Sequence, residues 1–370
     1  MNKKQLLVLS DGKPGHFNQS LGVAEKVPGV EVEYLELHFK NRFGDILNRL
    51  VGILHRFLNL PGKFLKLILR LSLIKEDFKK LSRTEPDLII SAGSSMAAPN
   101  IFWGKLTRAK KITCGIPSLI GSPPFDLVLA PGNKKPPVKE NILVTMGTPH
   151  RLEQKKIEEE VFFWKEREGL KGKIKKPCLG LVLGGPVRNL LMRKVFIEKI
   201  LREIVHFLKE NEGEIIAATS RRTPEEVEAF LQEELGNSPL CRRLILAKQE
   251  KKNPVPVMVG VCDLLLVTED SATMISELAS SHQRVIVVGL ERERANRSIA
   301  SDAQLGPLLA AEGYLDYFPG EFLEKEGELG QLLYETWKHE NKRPRLAEAE
   351  RCAREIVKRF LEEGRGETPK

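Results

Sequence analysis

Short apolar runs alternate along the chain with stretches of helical period. Leu6-Leu7-Val8-Leu9, Val30 to Leu37, Leu88-Ile89-Ile90, Ile112-Thr113-Cys114 and Leu127-Val128-Leu129 are near-continuous and give way to Gly, Ser or Pro. Such runs predict strands buried on both faces of a parallel sheet. The pattern restarts at Leu179-Gly180-Leu181-Val182-Leu183. It continues through Ile215-Ile216-Ala217, Leu244-Ile245-Leu246, Leu264 to Val267 and Val285 to Val288. Two doubly wound, Rossmann-like α/β units in tandem follow from the two series. A length of 370 residues agrees with two domains, at about 150 residues each.

Between the series, residues 153 to 176 are dense in Lys and Glu, as a solvated helix or linker would be. The join is expected near residue 160, with domains over 1-160 and 161-340. In the remaining 341-370, Leu346, Ala349, Cys352, Ala353, Ile356, Val357 and Phe360 recur at helical spacing. They predict an amphipathic helix lying on one of the domains, with Gly364 to Lys370 fraying.

The segment 40-73 departs from this regularity. Phe43, Ile46, Leu47, Leu50, Val51, Leu54, Phe57 and Leu58 form one helical stripe, and Arg42, Arg49, Arg56, Lys63, Lys66 and Arg70 stand against the single acid Asp45. A basic amphipathic helix interrupted at Pro61-Gly62 can lie in an anionic membrane interface. A core-facing helix with a solvated basic side is the alternative, and a spanning helix is disfavoured by the recurring charges.

Charge and cysteine usage narrow the setting. The formal net charge of +9 suits anionic partners such as nucleotides or phospholipid head groups. Five scattered cysteines without a CxxC pair indicate neither a disulfide framework nor a zinc site. With no signal-peptide pattern at the start, a cytoplasmic protein is expected, peripheral at the inner face of the cytoplasmic membrane if segment 40-73 lies on lipid. Aromatic content of 6% and the lack of a recognisable RNA- or DNA-binding module argue against nucleic acid.

Candidate chemistry sits where strands end. After the first strand, Ser10-Asp11-Gly12-Lys13-Pro14-Gly15-His16-Phe17-Asn18-Gln19 leads into a helix, at the edge where open α/β sheets bind ligands. The loop is neither GxGxxG nor GxxxxGK[ST], so hydride transfer and P-loop chemistry lose their main support. His16, Asp11 and Lys13 are the catalytic candidates, and Gly12, Gly15 and Gln19 complete the loop; a Gly-Pro-Gly turn with Asn18 as helix cap is the structural alternative. In the second unit, Gly184-Gly185-Pro186 follows a strand and is expected to open a helix whose amides, with the glycines, admit a phosphate. Ser220, Arg221 and Arg222 lie at another strand tip, where guanidinium forks suit a diphosphate; Thr223, Pro224 and Glu226 read as a capping box. Thr268, Asp270, Ser271, Ala272, Thr273 and Met274 end a strand and start a helix whose first amides face an anion. On that helix Glu277 is placed to accept hydrogen bonds from ribose hydroxyls. Glu269 and Glu277 also show an E-x7-E spacing found in some retaining glycosyltransferases.

No HxxxH pair or Asp-x-Asp motif offers a divalent metal its ligands, and no GxSxG elbow occurs. Neither a metal nor another cofactor is expected, and a bound diphosphate would be neutralised by cations and helix starts.

Taken together, Ser10 to His16, Gly147-Thr148-Pro149-His150-Arg151, Gly184-Gly185-Pro186, Thr219 to Pro224 and Thr268-Glu269-Asp270-Ser271 with Met274, Ser276 and Glu277 resemble the mitochondrial fission Elm family. Bacterial members of that family are labelled nucleoside-diphosphate-sugar epimerases. The resemblance implies a GT-B-like fold, two Rossmann-like domains facing across a cleft, similar to the lipid-intermediate N-acetylglucosamine transferase of peptidoglycan synthesis. It also implies an acceptor near the first glycine-containing loop, ribose on Glu277 and diphosphate on Ser271 to Met274. The chain departs from the family pattern at Ala272, Leu278 and Ser281-His282-Gln283-Arg284.

The expected function is a metal-independent glycosyltransferase using a nucleotide-diphosphate sugar, with an acceptor of membrane-lipid or envelope-glycan type. His16 or Asp11 would take the acceptor proton, and Arg221, Arg222 and the 271 to 274 helix start would stabilise the departing diphosphate. The alternatives are a sugar-nucleotide epimerase of the same architecture and a non-catalytic, membrane-associated adaptor.

Overall fold

A computed structural model describes residues 3–152, 154–167, 173–250, 253–293 and 304–362. The chain divides into two compact units, Met1–Arg151 with Ala347–Lys370, and Leu152–Leu346. The first unit runs β1 (Lys4–Ser10), α1 (Pro14–Ala24), β2 (Val30–Glu36), α2 (Arg42–Leu58), α3 (Gly62–Ser72) and α4 (Lys75–Leu81). It continues with β3 (Leu88–Ala92), α5 (Ser94–Thr107), β4 (Lys110–Cys114), β5 (Leu127–Pro131) and β6 (Ile142–Thr145). The second begins with α6 (Gln154–Arg167), β7 (Cys178–Val182), β8 (Leu190–Leu191), α7 (Lys194–Glu210), β9 (Glu214–Ala218), α8 (Glu225–Leu235) and β10 (Cys241–Ile245). There follow α9 (Val255–Val261), β11 (Leu264–Thr268), α10 (Ala272–Ala279), β12 (Arg284–Val288), β13 (Glu291–Arg292), α11 (Leu305–Ala311), β14 (Asp316–Phe318) and α12 (Glu328–Lys338). The last helix, α13 (Glu348–Phe360), belongs to the first unit.

Each unit is built on a six-stranded parallel sheet, ordered β2-β1-β3-β4-β5-β6 in the first and β10-β9-β7-β11-β12-β14 in the second. Side chains alternate across a strand, so β1 feeds two cores. Leu7 and Leu9 pack with Leu65, Met96 and Phe102 on the α3–α5 side, and Leu6 and Val8 pack with Leu21, Val23, Cys352 and Ile356 on the α1–α13 side. Coverage of both faces explains why these strands read as unbroken apolar runs. The strand order reverses beside the first strand of each unit, between β1 and β3 and between β7 and β11. Those are the points where crossovers leave the sheet in opposite directions and open a crevice at the carboxyl edge.

Two boundaries differ from the sequence reading. The join falls at Arg151–Leu152, and residue 160 lies inside α6. Ile157 and Val161 of α6 close over Gly260 of α9, where a Cβ would come within 2.8 Å of both, and Trp164 is buried under the Arg243 guanidinium. These few large contacts bind a helix that is otherwise charged. The segment from 341 also does not form a separate piece: Leu346 ends the second unit, and Ala347 onward joins the first. Gly364 to Lys370 lie outside the described residues.

Helix α2 has the reverse of the usual facing. Asn41 caps its start by accepting from the Gly44 amide at 2.9 Å, and Asn59, at φ +45°, ends it. Its inward positions are Gly44, Asn48, Val51 and Gly52. Cβ atoms at the two glycines would meet the Ser72 carbonyl oxygen at 2.9 Å and the Ile120 Cδ1 at 2.9 Å. Phe43, Ile46, Leu50, Leu54, Phe57 and Leu58 are exposed by 46 to 70%. Small residues let the helix approach, Leu47 and Ile53 pack partly against the core beside Val51, and the other large apolar residues point away. Val51→Ser is therefore expected to lower the unfolding free energy by about 2 kcal/mol, the loss of a buried valine. Leu50→Ser should change it by less than about 0.5 kcal/mol. Urea unfolding midpoints check both, and equal losses would reverse this assignment of faces.

Candidate functional site

In the first unit the candidates gather at the β1/β3 reversal. Asp11 follows β1, and α1 starts at Pro14, four residues before Asn18, with Pro14 in the first helical position and Lys13 preceding it. His16 therefore sits in the first turn, and Asn18 is within the helix rather than its cap. The Asp11 oxygens lie 3.0 and 3.1 Å from His16 Nδ1, the Ser95 hydroxyl donates to Asp11 Oδ2 at 3.0 Å, and Lys13 Nζ is 3.3 Å away. Burial works against ionising Asp11, but the bond and charge of His16, with Ser95 and the Lys13 amide, outweigh it and hold the carboxyl below its ordinary value. An ionised Asp11 accepting from Nδ1–H leaves the Nε2 lone pair of His16 available as a base.

Glycine is needed at two points here. A Cβ on Gly93, at φ +83°, would stand 2.4 Å from the His16 ring, and one on Gly12, at φ +73°, would stand 2.5 Å from a Glu36 oxygen. Gly15 has open space where a Cβ would be, so no contact within the protein requires it. Gln19 is half-buried one turn beyond His16. Gly93 and Ser95 are parts of this cluster that the sequence reading missed. The signal was present in Ser91-Ala92-Gly93-Ser94-Ser95, a strand end running into a helix start.

In the second unit the tips of β7, β9 and β11 are tied by one buried carboxylate. Asp270 accepts from the Gly185 amide at 3.0 Å, the Thr268 hydroxyl at 2.7 Å and Arg222 Nη2 at 2.7 Å. The Thr268 hydroxyl oxygen accepts from the Gly184 amide at 2.9 Å. Ser220 Oγ donates to the Gly184 carbonyl at 2.8 Å, and Thr223 Oγ1 donates to the same carbonyl. Burial pushes the Asp270 carboxyl up from its ordinary value, opposed by Thr268, Gly185 and Arg222.

This network and its neighbours correct several expectations. Gly184 and Gly185 do not offer amides to a phosphate, because both donate within the protein. Nor do they start a helix: Pro186 is exposed, a short bridge joins Val187 to Leu190, and α7 begins only at Lys194. Their lack of side chains serves packing, since a Cβ on Gly184 would lie 2.0 Å from Asp270 and one on Gly185 would lie 2.2 Å from the Arg222 carbonyl oxygen. Thr223 does not form a capping box either, because its hydroxyl turns back to Gly184 and the Ser220 amide and Pro224 precedes α8 without a side-chain cap. Arg222 is committed to Asp270, whereas Arg221 is exposed. Glu269 is likewise spent on structure, accepting from the Leu290 amide at 2.7 Å and the Tyr317 hydroxyl at 3.0 Å. That use removes the E-x7-E spacing from consideration.

Helix α10 starts two residues after Asp270. Ser271 caps it by accepting from the Met274 amide at 3.4 Å, and Ala272, Thr273 and Met274 form a half-buried first turn. Ile275 and Leu278 anchor the helix in the core. Glu277 is 7% exposed, and among the described residues no hydrogen bond or ion pair holds its carboxyl. Burial pushes that carboxyl up to about 7, against the pull of Lys156 on α6. Sequence reasoning missed Lys156, since a lysine in a charged helix carries no mark of its neighbour. Among the described residues no group of three His, Cys, Asp or Glu is placed to hold a metal ion.

Comparison with known proteins agrees with this architecture. The UDP-GlcNAc 2-epimerase of Methanocaldococcus jannaschii superposes with a TM-score of 0.60 at 14% identity, over 96% of this chain and 99% of that one. The UDP-GlcNAc 2-epimerase of Neisseria meningitidis, solved bound to UDP-GlcNAc, gives 0.52 at 14% identity, over 96% and 98%. At such identities the likeness establishes the fold alone, GT-B-like with two Rossmann-like domains. The mitochondrial fission protein ELM1 of Arabidopsis thaliana is 23% identical over 155 residues, 42% of this chain and 35% of that protein. The match thus spans about a third of that relative's length. The sequence pattern of the family described as Mitochondrial fission ELM1 matches residues 14–360, and the chain belongs to that family.

Proposed function

We propose that the protein is a glycosyltransferase that binds a nucleotide-diphosphate sugar in its second unit and needs no metal. The observation that carries the reading is Glu277, a buried carboxylate without a hydrogen-bonding partner among the described residues, on the helix whose first turn follows the β11 tip. A carboxylate so placed accepts two ribose hydroxyls. The start of α10 and the exposed Arg221 take the diphosphate. Binding of UDP-GlcNAc by an epimerase of the same fold supports this ligand class.

In the transfer step, His16 Nε2 takes the proton of an acceptor hydroxyl while that oxygen forms a bond to the anomeric carbon. The bond from that carbon to the diphosphate breaks, and the leaving group departs with the electron pair. Asp11 holds the ring tautomer and stabilises the imidazolium that forms. Lys13, 68% exposed at its side chain, adds positive charge to the loop. The lipid or glycan nature of the acceptor is part of the proposal.

The ribose contact has a pH signature. Only ionised Glu277 accepts both hydroxyls, so UDP-sugar affinity should rise with pH up to about 7 and level off above it. Below that point the loss approaches about tenfold per pH unit. A UDP-sugar has no phosphate titrating in this range, so calorimetric titration at several pH values reads the glutamate. Glu277→Gln should bind at least about tenfold more weakly, with a flat profile. Absence of saturable binding, or a variant that matches the natural protein, would overturn the reading.

His16→Ala should leave UDP-sugar binding within about twofold and lower turnover by roughly 10²- to 10⁴-fold. Donor supplied without acceptor separates the rivals: an altered sugar nucleotide accumulating under those conditions makes the protein an epimerase.

A further inference from the structure

The outer face of the α2–α3 pair and a basic cavity beside it have no role in the chemistry above. Both helices pack on α5, and α3 turns Leu65, Ile68, Leu69 and Ser72 inward, as α2 turns its small residues. Outward stand Phe43, Ile46, Leu50 and Phe57 of α2, with Phe64 and Leu67 of α3, each 40 to 70% exposed. Six large apolar side chains exposed on two neighbouring helices are more than the single scattered ones a surface ordinarily carries.

Its borders are cationic. Arg42, Arg56, Lys63, Lys66 and Arg70 lie on the two helices, whose one acid, Asp45, is already paired with Arg49 at 2.8 Å. Where α2 ends, a cavity of about 520 Å³ opens, lined by Arg56, Lys105, Arg108, Lys110 and Lys111, with Asp126 the one acid among its lining residues. Asp126 pairs with Lys111 at 2.7 Å. His55, also in the lining, is held below its ordinary value by burial and by Lys105 and Lys111, which reports the same positive field. The cavity lies at the amino-terminal edge of the sheet, where β4 begins, and Asp11 and His16 lie at the opposite edge.

We propose that this surface docks on an anionic lipid bilayer, with the apolar ridge of α2–α3 in the acyl boundary and a lipid phosphate in the basic cavity. Apolar residues on one side and cations around them are what an interfacial helix pair needs. No helix among the described residues is long and apolar enough to cross a membrane, and contact would be in the plane of the interface. A second copy of the chain fits less well, because two such faces would bring their cations together.

Co-sedimentation tests this with the full chain and two vesicle types: phosphatidylcholine alone, and phosphatidylcholine with roughly one phosphatidylglycerol in three. The protein should pellet with the anionic vesicles at least about tenfold more strongly than with neutral ones, and less as salt rises. Phe43→Ser with Leu50→Ser and Phe57→Ser should lower binding at least about tenfold, and Arg108→Glu with Lys110→Glu should also lower it. Both sets should keep the urea midpoint and UDP-sugar affinity, so lost docking is separable from lost folding. The proposal is overturned if the natural protein stays in the supernatant, or if either set pellets unchanged. It is also overturned if the protein without vesicles sediments as a dimer that the triple serine change dissolves.

Discussion

The second unit depends on burying one carboxylate at the end of a parallel sheet. Parallel strands finish with backbone groups that have no further strand to pair with, and a buried donor left without a partner costs about 1–3 kcal/mol. Asp270 and Thr268 meet that demand at the β7/β11 reversal by receiving the Gly185 and Gly184 amides, and Arg222 brings in the tip of β9. The double glycine follows from this, because the carboxylate stands where a side chain at Gly184 would be. Ser271 comes one residue later, so the same clamp fixes where α10 starts and how deep Glu277 lies.

That arrangement divides the charges. A carboxylate of the protein already occupies the place where glycine amides would otherwise cradle a phosphate, and Arg222 balances it. Arg221 beside it stays exposed. The first unit uses the equivalent place differently. There the acid after β1 is engaged by a histidine and a serine side chain. Two units with one topology thus place an aspartate at each reversal and give it different partners.

The sequence makes these roles legible to different degrees. Strands buried on both faces leave unbroken apolar runs, so β1, β3, β7, β11 and β12 could be located closely. The loop from Asp11 to His16 and the α10 start could be located because a strand end, a polar residue and a helix start are adjacent in sequence. Contacts between distant segments left no such trace. Nothing local to Gly184-Gly185 says that its amides meet residues more than eighty positions away, and a glycine pair before a helix would look the same. The domain join was displaced for a similar reason: α6 is charged along most of its length, and Ile157, Val161 and Trp164 are too few to outweigh that in a compositional reading.

Helix α2 exposes a different limit. Periodicity reports that apolar residues share a stripe, and it carries no information about which way the stripe faces. The ordinary inference is inward, because burying a leucine or phenylalanine stabilises the fold by about 1.5–3 kcal/mol. Here two glycines lie inward, and a glycine within a helix costs roughly 0.5–1 kcal/mol relative to alanine. Closeness to Ser72 and Ile120 accounts for those glycines, but not for Phe43, Leu50 and Phe57, which contribute little to folding from where they stand. Polar residues at those positions would leave the unit equally stable and more soluble. The fold therefore gives no reason for the outward stripe.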